Sequence, residues 1–358
     1  MSEQTQPAPP LRFGEALALE HANSNRNPRF ALGSLGGRYM LLCVIADHQH
    51  PAAKAALSAI PLERSDEGER AVAVFNTDMR ASGQIDALSK TRLVFTDAEA
   101  AKKCRLLDPR EPAGRWLLLD PSLRVLSIWP LQAAADALRA LNAAPSPSLQ
   151  TPAPVLIAPR VFEPEFCAKL IAYYRAREPE ASGVTQQDST GRTFVALDDA
   201  FKRRNDRLID DQRLCDAVKQ RIHWRLAPLI ERAFMWRPTR IERYLVACYD
   251  AESGGFFKPH RDNTTPGTAH RRFAVTINLN AEDYDGGDLR FPEFGAQTYR
   301  APTGGAVVFS CALLHEATPV TRGERYAFLP FLYDDADAKV REANNKYLDE
   351  SIAAYTDR

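Results

Sequence analysis

The sequence has no long hydrophobic run. No stretch of apolar residues approaches the roughly 18 residues that a membrane-spanning helix needs. The N-terminal segment MSEQTQPAPP has neither the basic region nor the apolar region of a signal peptide. We therefore expect a cytoplasmic protein.

Cysteine is scarce. The six cysteines lie singly, without the CxxC spacing of zinc and redox motifs. Two of them fall within apolar runs, Cys43 in YMLLCVIA and Cys248 in YLVACY. This pattern predicts buried free thiols in a reducing compartment and argues against a disulfide scaffold.

Charge of one sign is not in excess. Lys plus Arg and Asp plus Glu number 46 each, so the formal net charge is zero. The whole chain therefore has no overall electrostatic attraction to nucleic acid or to an anionic membrane.

The length of 358 residues, with 45% apolar residues, predicts two globular domains rather than one. The clearest boundary is the segment 143–159, which contains five prolines with Ser and Ala. We predict a first domain over 1–145, a linker over 146–154 and a second domain over 155–358.

The first domain alternates apolar strands, such as RYMLLCVIA and AVAVFN, with helical segments, such as PAAKAALSAI. This alternation predicts an α/β sandwich. Gly36-Gly37-Arg38 before the first core strand and a later LLLDPSLRV hairpin make the domain resemble the peroxiredoxin and thioredoxin-like domains. The resemblance implies a reactive cysteine after that strand, where this chain has Asp-His-Gln-His-Pro at 47–51.

Cys43 and Cys104 lie elsewhere in this domain, so we expect a redox-inactive scaffold or docking module. His48 and His50 have no third ligand nearby, and we interpret them as part of a solvated loop rather than as a metal pair.

The second domain begins with helices and continues, from about residue 241, as short apolar strands broken by Gly and Pro. Within it lies His260-Arg261-Asp262, followed by His315 and Arg325. Residues two apart on a strand share a face, so His260 and Asp262 can reach one ion, and His315 can complete a facial triad suited to Fe(II). Arg325 can clamp a carboxylate with its forked guanidinium.

These residues, with DGGDLRFPEFG and LLHEATPVTRGERYAFLPF, make the segment 249–334 resemble the Fe(II)/2-oxoglutarate dioxygenases, especially their prolyl-4-hydroxylase-like branch. The resemblance implies an α+β fold with a double-stranded β-helix (jelly-roll) core. It implies His260, Asp262 and His315 as catalytic iron ligands, 2-oxoglutarate as co-substrate, and succinate and CO2 as co-products. L-ascorbate and a homodimer stay open.

The resemblance also implies the residues that bind the co-substrate, namely Arg325, Tyr249 and, at a position that is often Tyr, Asn278. Relatives often carry a hydroxyl two residues after the clamp, where this chain has Ala327. The strand at 272–280 alternates, and it predicts an apolar face against the helices and a polar face toward a pocket. His270 is expected in an exposed loop and His223 on a helix, in packing or at the surface.

The substrate stays open between a peptidyl residue, an amino acid and a small metabolite. Two alternatives remain, a nucleic-acid demethylase on the same core and a non-catalytic interaction protein with a thioredoxin-like docking domain. The charged segment 183–211 is either a substrate lid or a surface loop. Its Lys202-Arg203-Arg204 run meets an acidic substrate or balances neighbouring carboxylates.

Overall fold

The computed structural model describes residues 8–61, 68–146 and 151–356. It divides into two compact units, Met1–Thr151 with Pro292–Ala296, and Pro152–Phe291 with Gln297–Arg358. The division at 151/152 falls within the predicted linker 146–154. Residues 147–150 of that linker, and the first seven residues of the N-terminal segment, lie outside the described residues.

The first unit contains seven strands and four helices among its described residues. The strands are β1 (His21–Ala22), β2 (Phe30–Ala31), β3 (Tyr39–Ile45), β4 (Arg70–Asn76), β5 (Leu93–Thr96), β6 (Gly114–Leu119) and β7 (Val125–Pro130). The helices are α1 (Pro51–Ala59), α2 (Gly83–Ser89), α3 (Ala98–Lys103) and α4 (Ala134–Ala143).

A five-stranded sheet in the order β5-β4-β3-β6-β7 forms the centre of this unit. Strands β3, β4 and β5 are parallel, and β6 and β7 are antiparallel to their neighbours. Every residue of β3 is buried, because alternate side chains enter two separate cores on the two faces of the sheet. The unit therefore has the layered α/β organisation that the alternating pattern predicted.

The expectation of a solvated loop is wrong for His48. Its side chain is only 2% exposed, and its Nδ1 lies 2.8 Å from Oδ2 of Asp78, just after β4. His50 is exposed, and its Nδ1 accepts a hydrogen bond from the amide of Ala52 at the start of α1. The two histidines therefore have separate structural roles.

The second unit contains eighteen strands and four helices among its described residues. Its helices are α5 (Pro164–Arg175), α6 (Gln212–Arg221), α7 (Ala227–Phe234) and α8 (Asp335–Ala343). Its strands are β8 (Leu156–Ala158), β9 (Glu180–Ala181), β10 (Val184–Gln187), β11 (Thr193–Ala196), β12 (Lys202–Arg203), β13 (Asn205–Leu208), β14 (Arg240–Glu242), β15 (Leu245–Asp250), β16 (Phe256–His260), β17 (Phe273–Asn278), β18 (Asp285–Gly286), β19 (Leu289–Arg290), β20 (Thr298–Tyr299), β21 (Ala306–Ser310), β22 (His315–Ala317), β23 (Val320–Arg322), β24 (Glu324–Phe328) and β25 (Phe331–Tyr333).

Two larger sheets organise this unit. Nine strands form one sheet with the path β14-β25-β17-β24-β15-β13-β9, and β21 and β8 extend it from β17. The other sheet has the order β12-β16-β22-β19-β20. This mixed architecture is consistent with a jelly-roll core.

Strand β17 follows its predicted alternation. Val275 and Ile277 enter the core formed with α5, α6 and α7, and Thr276 lines a pocket on the opposite face. The helices therefore cover one face of the nine-stranded sheet, which leaves the other face free to build a site.

The segment 183–211 is largely folded into strands, so a plain surface loop is wrong. Strands β10 and β11 form a hairpin, β12 pairs with β16, and β13 pairs with β15. The segment therefore contributes a strand to each of the two larger sheets.

The helical stretch before β14 is interrupted by a π-helical turn at Ile222–Leu226, between α6 and α7. Pro228 follows at the first turn of α7, where its missing N–H and its ring prevent a regular helix from continuing through it. The regular α-helix is therefore interrupted before the proline is reached.

All six cysteines are free, and all but the half-buried Cys215 are buried. Of the helices in the described ranges, none combines the length and apolar character needed to cross a bilayer.

Candidate metal centre

Three predicted ligands converge at the junction of two antiparallel strands. His260 ends β16, His315 begins β22, and the two residues are direct cross-strand partners. Nε2 of His260 lies 3.6 Å from Oδ1 of Asp262, and Nε2 of His315 lies 3.3 Å from Oδ2. Potential ligand atoms of all three residues lie within 4.8 Å of one another, and no other group in the described ranges meets this criterion.

Backbone carbonyls orient both imidazoles. Nδ1 of His260 lies 2.7 Å from the carbonyl oxygen of Lys258, and Nδ1 of His315 lies 3.0 Å from that of Leu313. Since a carbonyl oxygen only accepts, each Nδ1 carries the hydrogen, and each Nε2 keeps a lone pair for a metal.

The electrostatics of the three side chains suit a divalent cation. Burial raises the pKa of the Asp262 carboxyl, but the neighbouring His315 and His260 outweigh it and hold that pKa below its ordinary value. Burial lowers the pKa of His315 to about 4. The site therefore presents a carboxylate and a neutral imidazole, which are the protonation states that metal binding requires.

Two nitrogens and one oxygen on one side of an ion make the donor set that suits Fe(II) and leaves open positions for other ligands. Aromatic rings pack against the two imidazoles, since Phe257 stacks on His260 at 3.5 Å between centroids and Phe309 contacts His315 at 4.5 Å. The residues present therefore fit a non-haem iron.

Arg325 lies in β24, directly opposite Tyr249 of β15. It is 2% exposed, and its Nε and Nη1 donate to no group of the described residues. A buried guanidinium without an acceptor is costly, so the arrangement calls for an anion. Gly287 makes room for it, because a Cβ there would lie 3.0 Å from Cδ of Arg325.

Arg325 shares a narrow recess with other unsatisfied polar atoms. Tyr284 is 1% exposed, and its hydroxyl has no hydrogen-bond partner in the described chain. Relatives often have a hydroxyl at the position of Ala327. The Tyr284 hydroxyl is a candidate to donate a hydrogen bond in its place. The sequence analysis missed Tyr284, although its place just before the Gly-Gly turn was a usable signal.

Asn278 borders the same recess and not the pocket that contains the triad. Its Nδ2 donates one hydrogen to the carbonyl oxygen of Ala301 at 2.7 Å, and its Oδ1 has no partner among the described residues. A carboxylate cannot donate to that oxygen, so a direct contact between Asn278 and the co-substrate stays a prediction.

Tyr249 is buried between two arginines. The guanidinium carbons of Arg325 and Arg204 lie 4.9 and 5.7 Å from the centre of its ring. Nη1 of Arg204 donates to the tyrosine hydroxyl at 3.4 Å, and Nη2 of Arg204 pairs with Asp206 at 2.7 Å. Tyr249 therefore lines the pocket beside Arg325, and its contact with the co-substrate stays a prediction.

The sequence analysis left Arg204 open between contact with an acidic substrate and the balancing of neighbouring carboxylates. Lys202, Arg204 and Asp206 are spaced two apart, and their side chains turn inward while Arg203 and Asn205 stay exposed. Burial lowers the pKa of Lys202 to about 6. The alternation of inward and outward side chains along a strand was the available signal. The sequence analysis missed it because it interpreted the segment as a lid or a surface loop.

The competing histidines take no part in the triad. His270 is 1% exposed, and its Nε2 lies 2.7 Å from Oε2 of Glu242, so the expected exposed loop is wrong. The carboxylate of Glu242 also pairs with Arg271. Both of its partners are therefore residues of the protein, His270 and Arg271. His223 is exposed, on the π-helical turn.

Comparison with known proteins agrees with this site. Residues 244–333 match the family model described as the 2OG-Fe(II) oxygenase superfamily, so this part of the chain is similar to members of that superfamily. The matched residues contain the whole triad and Arg325.

Two similar proteins are named as PKHD-type hydroxylases. A PKHD-type hydroxylase of Synechococcus sp. (strain JA-2-3B'a(2-13)) is 37% identical over 97 residues, which are 25% of this chain and 42% of that protein. PKHD-type hydroxylase PiuC of Pseudomonas aeruginosa is 31% identical over 147 residues, which are 38% of this chain and 63% of PiuC. The chain thus spans less than two thirds of these relatives.

A solved structure of a Pseudomonas putida prolyl-4-hydroxylase is 22% identical to this chain, with a TM-score of 0.38. The match covers 50% of this chain and 92% of that structure.

Proposed function

We propose that this chain is a non-haem Fe(II)- and 2-oxoglutarate-dependent dioxygenase that hydroxylates an unactivated C–H bond on a double-stranded β-helix core. One observation supports this most strongly. The pocket that contains His260, Asp262 and His315 also contains a buried Arg325 with unpaired donors. The stability of an ordinary half-buried sheet would not require these groups to lie together.

Each residue has a distinct task in this proposal. The triad would hold Fe(II), and Arg325 with Tyr284 would bind the distal carboxylate of 2-oxoglutarate. Fe(II) and 2-oxoglutarate, when bound with dioxygen, supply the oxidising power, with succinate and CO2 as co-products. Phe257 and Phe309 pack against the two imidazoles and exclude water from one side of the centre.

The geometry favours this enzyme over the two alternatives. The net charge of zero gives the chain no overall attraction to nucleic acid, which argues against a nucleic-acid demethylase. A non-catalytic interaction protein would not require a buried triad or a buried arginine without an ion-pair partner in the described chain.

Succinate formation tests the proposal. The full-length protein would be supplied with Fe(II), 2-oxoglutarate and ascorbate, which keeps the iron reduced, and succinate would be measured with and without a chelator. We expect iron-dependent succinate that increases with a suitable amino acid, peptide or metabolite. No succinate from protein shown by metal analysis to contain iron would contradict the assignment.

We also propose that the first unit is a redox-inactive thioredoxin-like domain. Its strand order and its antiparallel hairpin β6-β7 followed by α4 support this assignment. Cys43 is buried in the central strand, where burial raises its pKa, and burial raises the pKa of Cys104 to about 12. Neither thiol is a ready nucleophile, because the thiolate is the reactive form.

This proposal predicts that the full-length protein, given hydrogen peroxide and a dithiol reductant, shows no thiol peroxidase activity. The control is the double variant Cys43→Ser/Cys104→Ser, which should consume peroxide at the same background rate. Peroxide consumption by the wild type that disappears in the double variant would show that the domain is redox-active.

A further inference from the structure

The pocket contains a second arginine that forms no ion pair with a carboxylate of the described residues. Four charged side chains other than histidine line it, namely Arg204, Arg243, Arg325 and Asp262. Arg204 pairs with Asp206, and Asp262 faces the two histidines. Arg325 and Arg243 form no ion pair within the described residues, and the distal carboxylate of 2-oxoglutarate can occupy only one of them.

The fold holds Arg243 in a fixed position. Its backbone φ is +53°, in the left-handed region that residues with a side chain rarely adopt. Its guanidinium lies 4.2 Å from the centre of the Phe331 ring, and its Nε donates to the carbonyl oxygen of Leu329 at 3.2 Å. Nη1 and Nη2 bind no group in the described part of the chain, so they are available to a ligand.

A neighbouring arginine shows what is unusual about Arg243. Arg271 lies over the same Phe331 ring at 4.0 Å, but its Nε and Nη2 bind the two oxygens of Glu242 at 2.9 and 2.7 Å. Its Nη1 reaches the backbone carbonyl of Asp262 at 3.3 Å. Arg271 therefore contacts a metal ligand. Of the two arginines over Phe331, only Arg271 forms an ion pair with a described residue.

Arg243 and the co-substrate clamp are held by different residues of the sheet. Arg325 pairs across the sheet with Tyr249, and Leu329, which accepts from Arg243, lies four residues further along the chain. 2-Oxoglutarate has two carboxylates, of which one would bind Arg325 and the other the metal. It therefore leaves Arg243 unoccupied.

We infer that Arg243 binds a carboxylate of the organic substrate, so that the substrate is a free amino acid or a short peptide with a free C-terminus. A guanidinium with two free Nη groups fits one carboxylate in a bidentate contact. The inference rests on the proposed function and narrows its substrate class. A neutral substrate would leave Arg243 with only the carboxylates of Asp206 and Glu242 nearby, neither of which forms an ion pair with it.

Paired probes test the inference. The wild type, Arg243→Gln, Arg243→Lys and the control Arg237→Gln would each be loaded with Mn(II) and 2-oxoglutarate without oxygen. Arg237 suits the control because its pair with Glu231 is exposed, on another part of the second unit. Calorimetry would measure the binding of each free L-amino acid and a set of dipeptides, each beside its neutral carboxamide.

We expect at least one acid to bind the wild type and Arg237→Gln about ten- to a hundredfold more tightly than its amide. Arg243→Gln should lose this preference, and Arg243→Lys should keep part of it. Whether the bound acid is an amino acid or a dipeptide identifies the source of the carboxylate. Equal binding of acid and amide, no binding of any acid, or an unchanged preference in Arg243→Gln would overturn the inference.

Aerobic succinate formation by the same proteins, loaded with Fe(II), separates this inference from the proposed function. Iron-dependent succinate with no preference for acids would remove only the role of Arg243. A protein that binds the acids through Arg243 and forms no succinate would refute the dioxygenase and keep the carboxylate site.

Discussion

Replacing His260, Asp262 or His315 with alanine is expected to reduce succinate formation to the level of the iron-free protein. A facial triad has no spare ligand, and the three side chains come from one strand end, the segment after it and one neighbouring strand. Each single variant should also lose metal, measured as bound Mn(II) under conditions that load the wild type.

His223→Ala is the matched control, because His223 is an exposed histidine of the same unit that lies outside the pocket. It should keep wild-type metal content and turnover. Full iron occupancy together with normal turnover in all three triad variants would show that the metal centre is elsewhere.

Arg325→Ala should raise the dissociation constant for 2-oxoglutarate about ten- to a hundredfold. The variant removes charge-assisted hydrogen bonds that are together worth about 1.5–3 kcal/mol. Calorimetry of the Mn(II)-loaded protein measures the constant directly, and Mn(II) binding itself should change little because Arg325 is not a ligand. Tyr284→Phe removes a single donor and should have a smaller effect in the same direction.

Two other arginines would be the next candidates if Arg325→Ala left the affinity unchanged. Arg322 is exposed and pairs with Asp285, so Arg322→Ala serves as the control with unaltered affinity. Arg300 binds Asp288 and the carbonyl oxygens of Ala281 and Tyr284, so its guanidinium is already occupied. These contacts make either arginine a poorer clamp than Arg325.

Local sequence was sufficient where the signal depended on strand period and residue type. The spacing of His260 and Asp262 predicted a shared face, and the alternation along β17 predicted which side chains enter the core. The chemistry of two imidazoles, one carboxylate and a later arginine predicted an iron site with an anion clamp. Such inferences need only the repeat of the backbone and the ligand preferences of the side chains.

The sequence by itself therefore determined the donor set, the order of the motifs and the two-part organisation of the chain. Only the tertiary structure decided which charges are neutralised, because ion pairing depends on residues that are distant in the chain. Glu242 pairs with His270 and Arg271, Asp206 pairs with Arg204, and no carboxylate of the described chain forms an ion pair with Arg243 or Arg325. The sequence does not distinguish these arginines from one another. A buried arginine beside a carboxylate has a structural role, whereas a buried arginine without one is available to a ligand.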